Sequence, residues 1–125
     1  MKIVVLSLLR LGDVLIAAPA LQALRQKYPT AEIDLIVNAQ NAKKLGFLKS
    51  VNRIIPFERE AIQLALGDID QNIFVAYDGC KQFLEQRCHA NYDLLVNLTQ
   101  NRLSAYLSSL ISADEKIGLT MTAKE

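Results

Sequence analysis

The hydrophobic positions of the chain form short, largely apolar runs separated by longer stretches with helical spacing. The clearest runs cover residues 3–9, 33–37, 53–57 and 93–97, and a weaker one covers residues 116–119. Runs of this length, rich in β-branched residues, are typical of strands buried on both faces of a sheet. The sequence therefore predicts five strands.

The segments between these runs carry the spacings of three and four residues that mark amphipathic helices. The first such pattern starts at Val14 and continues to Tyr28, and others cover residues 39–48, 60–89 and 104–111. Strands that alternate with helices favour a parallel sheet with connecting helices on both faces. The fold class predicted for residues 1–125 is thus an α/β, Rossmann-like domain.

Prolines and glycines refine this layout. Pro19 lies inside the first helical pattern, so that helix either kinks at Pro19 or begins near it. Pro56 indicates that the third strand is an edge strand or ends there. The pair Gly67-Asp68 predicts a break within the long helical stretch.

Composition narrows the classes of function. The chain is 51% hydrophobic and 22% charged, and its net charge is +1, so no strong overall field favours nucleic acid. Five basic residues nevertheless fall close together: Lys43, Lys44, Lys49, Arg53 and Arg59. No apolar run reaches the ~18 residues that a membrane span needs, and we expect a cytoplasmic protein.

Cys80, Cys88 and His89 do not form a metal-binding motif. On one helix, the two cysteines would lie about 12 Å apart, which is too far for a disulfide. His89 adjoins Cys88, but no CxxC or HxxxH spacing accompanies it. We expect reduced, structural cysteines, a surface histidine, and neither a metal nor a cofactor.

Candidate chemistry lies where the predicted strands end, because ligands of parallel sheets bind outside the carboxyl ends of the strands. Arg10, Gly12 and Asp13 follow the first strand. Gly12 would allow a tight turn or close approach to a ligand. Asp13 would either cap the first helix or act on a substrate, and the two roles are compatible. Arg10 would bind phosphate or remain a solvated loop residue.

A second polar group follows the fourth strand. It consists of Asn97, Thr99, Gln100 and Arg102, whose side chains could bind sugar hydroxyls, whereas Thr99 or the intervening Asn101 could instead cap the next helix. Neither GxGxxG nor GxxxxGK[ST] follows the first strand, so binding of NAD or ATP by this segment is unsupported.

Several segments together resemble the lipopolysaccharide heptosyltransferases of glycosyltransferase family 9. The N-terminal block RLGDVL at residues 10–15, Pro19 and the segment from Tyr28 to Ile33 carry most of the likeness. Weaker likeness follows in YDLLVNL at residues 92–98, RLSA at 102–105 and KIG at 116–118. Ser7, Leu9 and Arg10 depart from the family pattern, which leaves the acceptor open.

The resemblance implies an enzyme with two Rossmann-like domains of the GT-B type. This chain would be the N-terminal, acceptor-side domain, inactive alone, and the donor-binding domain would follow it. Family members transfer a sugar, commonly heptose from ADP-heptose, to the lipopolysaccharide core with inversion and without a bound metal. The aspartate of the Gly-Asp pair, here Asp13, would be the catalytic base.

Two further expectations concern partners. A non-catalytic carbohydrate-binding module built from the same domain is the alternative function, since the Gly-Asp pair would serve either. Because the family's acceptor is lipid-linked, peripheral contact with the inner face of the cytoplasmic membrane is expected at residues 43–57. The apolar residues Leu45, Phe47 and Leu48 would contribute to that contact or belong to the core.

Overall fold

The chain folds around one parallel five-stranded sheet. In the computed structural model, the residues described are 1–8, 11–46, 48–58, 72–89, 91–99 and 102–118. The strands are β1 (Lys2–Ser7), β2 (Glu32–Asn38), β3 (Arg53–Phe57), β4 (Tyr92–Asn97) and β5 (Ala113–Gly118). The described helices are α1 (Leu11–Lys27), α2 (Ala39–Ala42), continued by a 3₁₀ turn at Lys43–Leu45, α3 (Asn72–Arg87) and α4 (Arg102–Leu110).

The strand order is β3-β2-β1-β4-β5, and every neighbouring pair is parallel. The sheet grows from β1 through β2 to β3 on one side, and the chain then crosses to place β4 and β5 on the other side. The direction of growth therefore reverses between β1 and β4. In parallel sheets such a reversal opens a crevice at the carboxyl ends of the two central strands.

Two apolar layers hold helices on opposite faces of the sheet. On one face Val5 and Leu35 pack with Val14 and Leu21 of α1 and with Leu45. The other face carries the following packed residues from strands, α3 and α4: Leu6, Leu95, Ile55, Phe57, Cys80, Phe83 and Leu107. This arrangement confirms the predicted α/β, Rossmann-like fold.

The structure bears on several local expectations. Pro19 does not start the first helix, because α1 already begins at Leu11 and includes Pro19. The tight turn expected at Gly12 is absent for the same reason. Leu45 and Phe57 are buried, so they belong to the core and not to a membrane-facing surface. Pro56 lies in edge strand β3, as predicted. The break expected at residues 67–68 lies outside the described residues.

Gly118 ends β5 beside Asn97 of β4, and this position requires glycine. Its φ is +101°, and a Cβ placed there would lie 2.3 Å from the Asn97 carbonyl oxygen. Backbone and packing therefore both exclude a side chain. The close approach of β5 to β4 at the carboxyl edge depends on this glycine.

None of the helices within the described ranges is both long and apolar enough to cross a bilayer.

We expect Gly118→Ala to lower the free energy of unfolding by about 3 kcal/mol, because it adds both backbone strain and a clash with Asn97. Gly46→Ala is the matched control, since Gly46 has φ −59° and open space at its Cβ position. The control should change stability by less than about 0.5 kcal/mol. Urea unfolding measures both, and equal midpoints for the two variants would contradict the assignment.

Candidate functional site

The candidate site lies at the carboxyl edge of the sheet, where its growth reverses. The first turn of α1 follows β1 on one side of the crevice, and residues 97–99 lead from β4 toward α4 on the other side. The two strands remain paired up to their ends, because the Leu98 N–H donates to the Leu6 carbonyl at 2.9 Å. The segments singled out from the sequence after the first and fourth strands are thus neighbours in the fold.

A buried set of hydrogen bonds fixes the two loops to each other. Thr99 Oγ1 accepts the Leu8 N–H at 2.7 Å, and Asn97 Oδ1 accepts the Thr99 N–H at 2.9 Å. Ser104 of α4 donates from its hydroxyl to the Thr99 carbonyl at 2.7 Å. Buried polar groups that are satisfied in this way specify a single arrangement. These contacts position the start of the β1–α1 connection.

The described contacts give Asn97 and Thr99 a positioning role. Both are almost fully buried, with exposures of 5% and 1%. Neither is the N-cap of α4, which begins at Arg102. A direct contact between these side chains and a sugar stays a prediction. Asn38, the last residue of β2, caps α2 by accepting the Gln40 N–H.

Gly12 and Asp13 lie in the first turn of α1. Asp13 is the third residue of the helix, so the expectation that it is the N-cap is wrong. Gly12 is exposed, and nothing lies within 4 Å of the position a Cβ would take. The N-terminus of a helix carries partial positive charge and favours both a carboxylate and a bound anion. The backbone beside Asp13 is therefore open to a ligand.

Arg102, Arg10 and Gln100 are the remaining predicted site residues. Arg102 is the first residue of α4 and so follows the same loop as Thr99. Arg10 and Gln100 lie outside the described residues. Their roles in binding stay predictions.

A second polar cluster lies at the opposite, amino edge of the sheet. The fully buried carboxylate of Asp34 accepts hydrogen bonds from the Arg53 guanidinium, at 2.8 and 3.3 Å, and from the Tyr92 hydroxyl at 2.6 Å. His89 Nε2 lies 2.8 Å from Glu32 Oε1 and 3.8 Å from Asp34 Oδ2. His89, expected to be a surface histidine, is partly exposed and is paired with Glu32.

This amino-edge cluster has the electrostatics of a structural network. The bond to Asp34 raises the pKa of Arg53, and burial followed by the Asp34 bond raises the pKa of Tyr92. Possible ligand atoms of Glu32, Asp34 and His89 lie within 4.8 Å of one another. However, a cation there would compete with the guanidinium that already neutralises Asp34, so these residues fit a metal poorly.

A cleft of about 380 Å³ adjoins this cluster. Leu84, Cys88 and His89 line one side of it, and Leu110 and Ile111 line the other. Cys80 and Cys88 are both free, and burial raises the pKa of each thiol to about 11. Burial thus disfavours the thiolate of Cys88, which is the nucleophilic form of a cysteine.

Comparison with solved structures connects this fold with glycosyltransferases. Escherichia coli heptosyltransferase WaaC, solved with ADP-2-deoxy-2-fluoro heptose, is 24% identical and superposes with a TM-score of 0.73 over 92% of this chain and 35% of its own. The resemblance to family 9 is confirmed at the level of the fold. A glycosyl transferase family 9 structure from Veillonella parvula is 20% identical, with a TM-score of 0.69 over 92% of this chain and 30% of its own.

The likeness extends to a further heptosyltransferase. The structure of Escherichia coli ADP-heptose lipopolysaccharide heptosyltransferase II is 23% identical, with a TM-score of 0.57 over 86% of this chain and 27% of its own. The chain spans about a third of the length of these solved structures. No family model and no curated protein matches the sequence.

We expect Thr99→Val to lower the free energy of unfolding by about 1–3 kcal/mol, because it leaves the buried Leu8 N–H without its acceptor. Thr30→Val, at an exposed position, is the matched control and should have little effect. Chemical unfolding gives the stabilities, and amide hydrogen exchange at Leu8 should accelerate in Thr99→Val alone. Unchanged exchange at Leu8 would show that the hydrogen bond does not hold this loop.

Proposed function

We propose that this chain is the N-terminal, acceptor-side domain of a family 9 glycosyltransferase. The full-length enzyme would transfer a sugar, heptose by its resemblance to the family, to the lipopolysaccharide core. The observation that carries the proposal is the position of the Gly-Asp pair. The pair opens α1 at the crevice between β1 and β4, in a fold shared with heptosyltransferases. The Gly-Asp pair of the N-terminal block that resembles family 9 thus lies beside the open side of the crevice.

The proposed chemistry is a single displacement with inversion. Asp13 takes the proton of an acceptor hydroxyl as the hydroxyl oxygen attacks the anomeric carbon. The bond between that carbon and the donor phosphate breaks, and the nucleotide diphosphate leaves with the bonding electron pair. The proton remains on Asp13 until solvent removes it. The exposed backbone at Gly12 leaves room for the acceptor beside the carboxylate.

The position of Asp13 in the first turn suits this role. The partial positive charge of the helix N-terminus favours the ionised carboxylate, which is the form that accepts a proton. The same N-terminal amides and the arginines Arg10 and Arg102 would attract phosphate groups on the acceptor or the donor. Asn97 and Thr99 would keep the loops at the fixed separation that a bound acceptor needs.

The donor would be a nucleotide sugar of the ADP-heptose type, held by a second domain. The solved heptosyltransferase that resembles this chain was determined with an ADP-sugar analogue, and it is about three times as long as the part matched here. The described residues contain no phosphate-binding glycine loop of their own. The enzyme would act in the cytoplasm, at the inner face of the membrane that carries the acceptor.

The alternative is a carbohydrate-binding module that lacks transfer activity. It is favoured by the open space at Gly12, which would admit a sugar whether or not a reaction follows. Transfer by the full-length protein separates the two functions.

We expect Asp13→Asn to reduce turnover of the full-length protein by about 100-fold or more, because an amide cannot accept the hydroxyl proton. The KM values for donor and acceptor should change little. Transfer from ADP-heptose to core lipopolysaccharide, followed by mass spectrometry, is the measurement. Asp114→Asn, an exposed change at the amino end of β5, is the control and should turn over normally.

Wild-type turnover in Asp13→Asn would remove Asp13 from the role of base. Absence of transfer with every donor tested, together with retained acceptor binding, would favour the carbohydrate-binding module.

A further inference from the structure

Ser7 is a buried polar residue at the carboxyl end of β1. It is the last residue of that strand, and its exposed fraction is only 4%. The structure gives a partner within the protein to each of the other buried polar residues, which are Asp34, Asn38, Asn97, Thr99, Ser104 and Ser108. Within the described ranges, no hydrogen bond joins the Ser7 hydroxyl to another residue.

An unpaired hydroxyl is unfavourable at such a position, because burial removes its hydrogen bonds to water. The neighbours of Ser7 do not compensate for this loss. Ser7 lies opposite Val37 of β2, and Val5, which shares its side of the strand, belongs to the apolar layer under α1. Packing alone would be served by alanine. A buried polar group without a partner therefore needs another explanation, and such groups concentrate at functional sites.

The alternation of side chains along β1 places Ser7 on the α1 side of the sheet. Val5 packs in the same layer as Val14 of α1, and side chains two residues apart on a strand share a face. Ser7 ends this row at the carboxyl edge, where Gly12 and Asp13 form the first turn of α1. The hydroxyl thus lies at the base of the proposed acceptor crevice.

The chemistry of the Ser7 side chain favours a hydroxyl group as its ligand. A serine hydroxyl carries one donor and two acceptor sites, so it can pair with another hydroxyl in either direction. It has no charge with which to neutralise a phosphate or a carboxylate. Sugars supply such neutral hydroxyl groups in abundance, and the proposed acceptor is a sugar.

We propose that Ser7 is a specificity-determining residue, whose hydroxyl binds a hydroxyl of the acceptor sugar other than the one that Asp13 deprotonates. This inference rests on the proposed function and adds a residue that selects the acceptor. The bound sugar would supply the hydrogen bond that Ser7 lacks. A sugar without that hydroxyl would leave Ser7 unpaired in a closed site, and would bind more weakly for that reason.

The test compares Ser7→Ala with the wild type in the full-length protein. Calorimetric titration with a soluble oligosaccharide of the lipopolysaccharide core gives the affinity. We expect Ser7→Ala to raise Kd about 3–10-fold, the range that one neutral hydrogen bond supplies. In the transfer assay the acceptor KM should rise by the same factor. The donor KM, kcat and the pH dependence of kcat should stay unchanged, because Ser7 moves no proton.

Stability distinguishes a ligand-binding hydroxyl from a structural one. In the ligand-free protein, Ser7→Ala should leave the midpoint of urea unfolding unchanged or raise it, because it removes a buried group without a partner. Ser104→Ala is the matched control, since the Ser104 hydroxyl is buried and donates to the Thr99 carbonyl, and its midpoint should fall. Ser112→Ala, at an exposed position before β5, should not alter acceptor binding.

Acceptor analogues identify the group that Ser7 binds. The set consists of soluble oligosaccharides that each lack one hydroxyl of the acceptor sugar, apart from the hydroxyl that is glycosylated. One analogue should bind the wild type about 3–10-fold more weakly than the parent oligosaccharide does. The same analogue and the parent should bind Ser7→Ala equally well, because the two changes remove the same hydrogen bond.

Equal affinity of the wild type and Ser7→Ala for the oligosaccharide would overturn the assignment. So would a fall in the unfolding midpoint of Ser7→Ala comparable with that of Ser104→Ala, which would show that another part of the protein satisfies the hydroxyl. Failure of the proposed function gives a different pattern. The wild type would then bind the oligosaccharide through Ser7 and transfer no sugar to it. A wild type that binds no core oligosaccharide would contradict both proposals.

Discussion

The hydrogen bond from the Leu8 backbone to Thr99 Oγ1 joins the two loops on which the site depends. It links Leu8, the residue after β1, to Thr99, the second residue after β4, across the point at which the sheet reverses its growth. Thr99 is held in turn by two hydrogen bonds: its N–H donates to Asn97 Oδ1, and its carbonyl accepts from the Ser104 hydroxyl of α4. Because the bond to Leu8 is buried, it resists competition from water, and it fixes the start of the connection that leads from β1 to Gly12 and Asp13.

The sequence was a good guide to the fold and to the location of the crevice. Largely apolar runs predicted five strands. The helical patterns between those runs predicted that the strands are parallel and are connected by helices. Parallel strands place all their carboxyl ends at one edge, so Asp13 and Thr99 were expected on the same side of the molecule. Gly118 could not be foreseen as indispensable, because its requirement comes from the approach of β5 to Asn97.

Other features depend on contacts that no local pattern records. Asp34 sits in an apolar run, and its partners Arg53 and Tyr92 come from two other strands. His89 joins them because the end of α3 returns to the start of β2, where Glu32 lies. The exposure of Leu15 on α1 was hidden as well, because Leu15 fits the helical spacing of the core and is nevertheless 44% exposed.

We propose that the carboxyl edge binds the sugar acceptor, whereas the amino edge is structural. The direct measurement is an NMR titration of the isotope-labelled full-length protein with a soluble oligosaccharide of the lipopolysaccharide core. The account predicts saturable shifts at the amides of Gly12, Leu98 and Thr99 and none at Glu32 and His89. Shifts confined to Glu32 and His89, or no shifts at saturating acceptor, would contradict it.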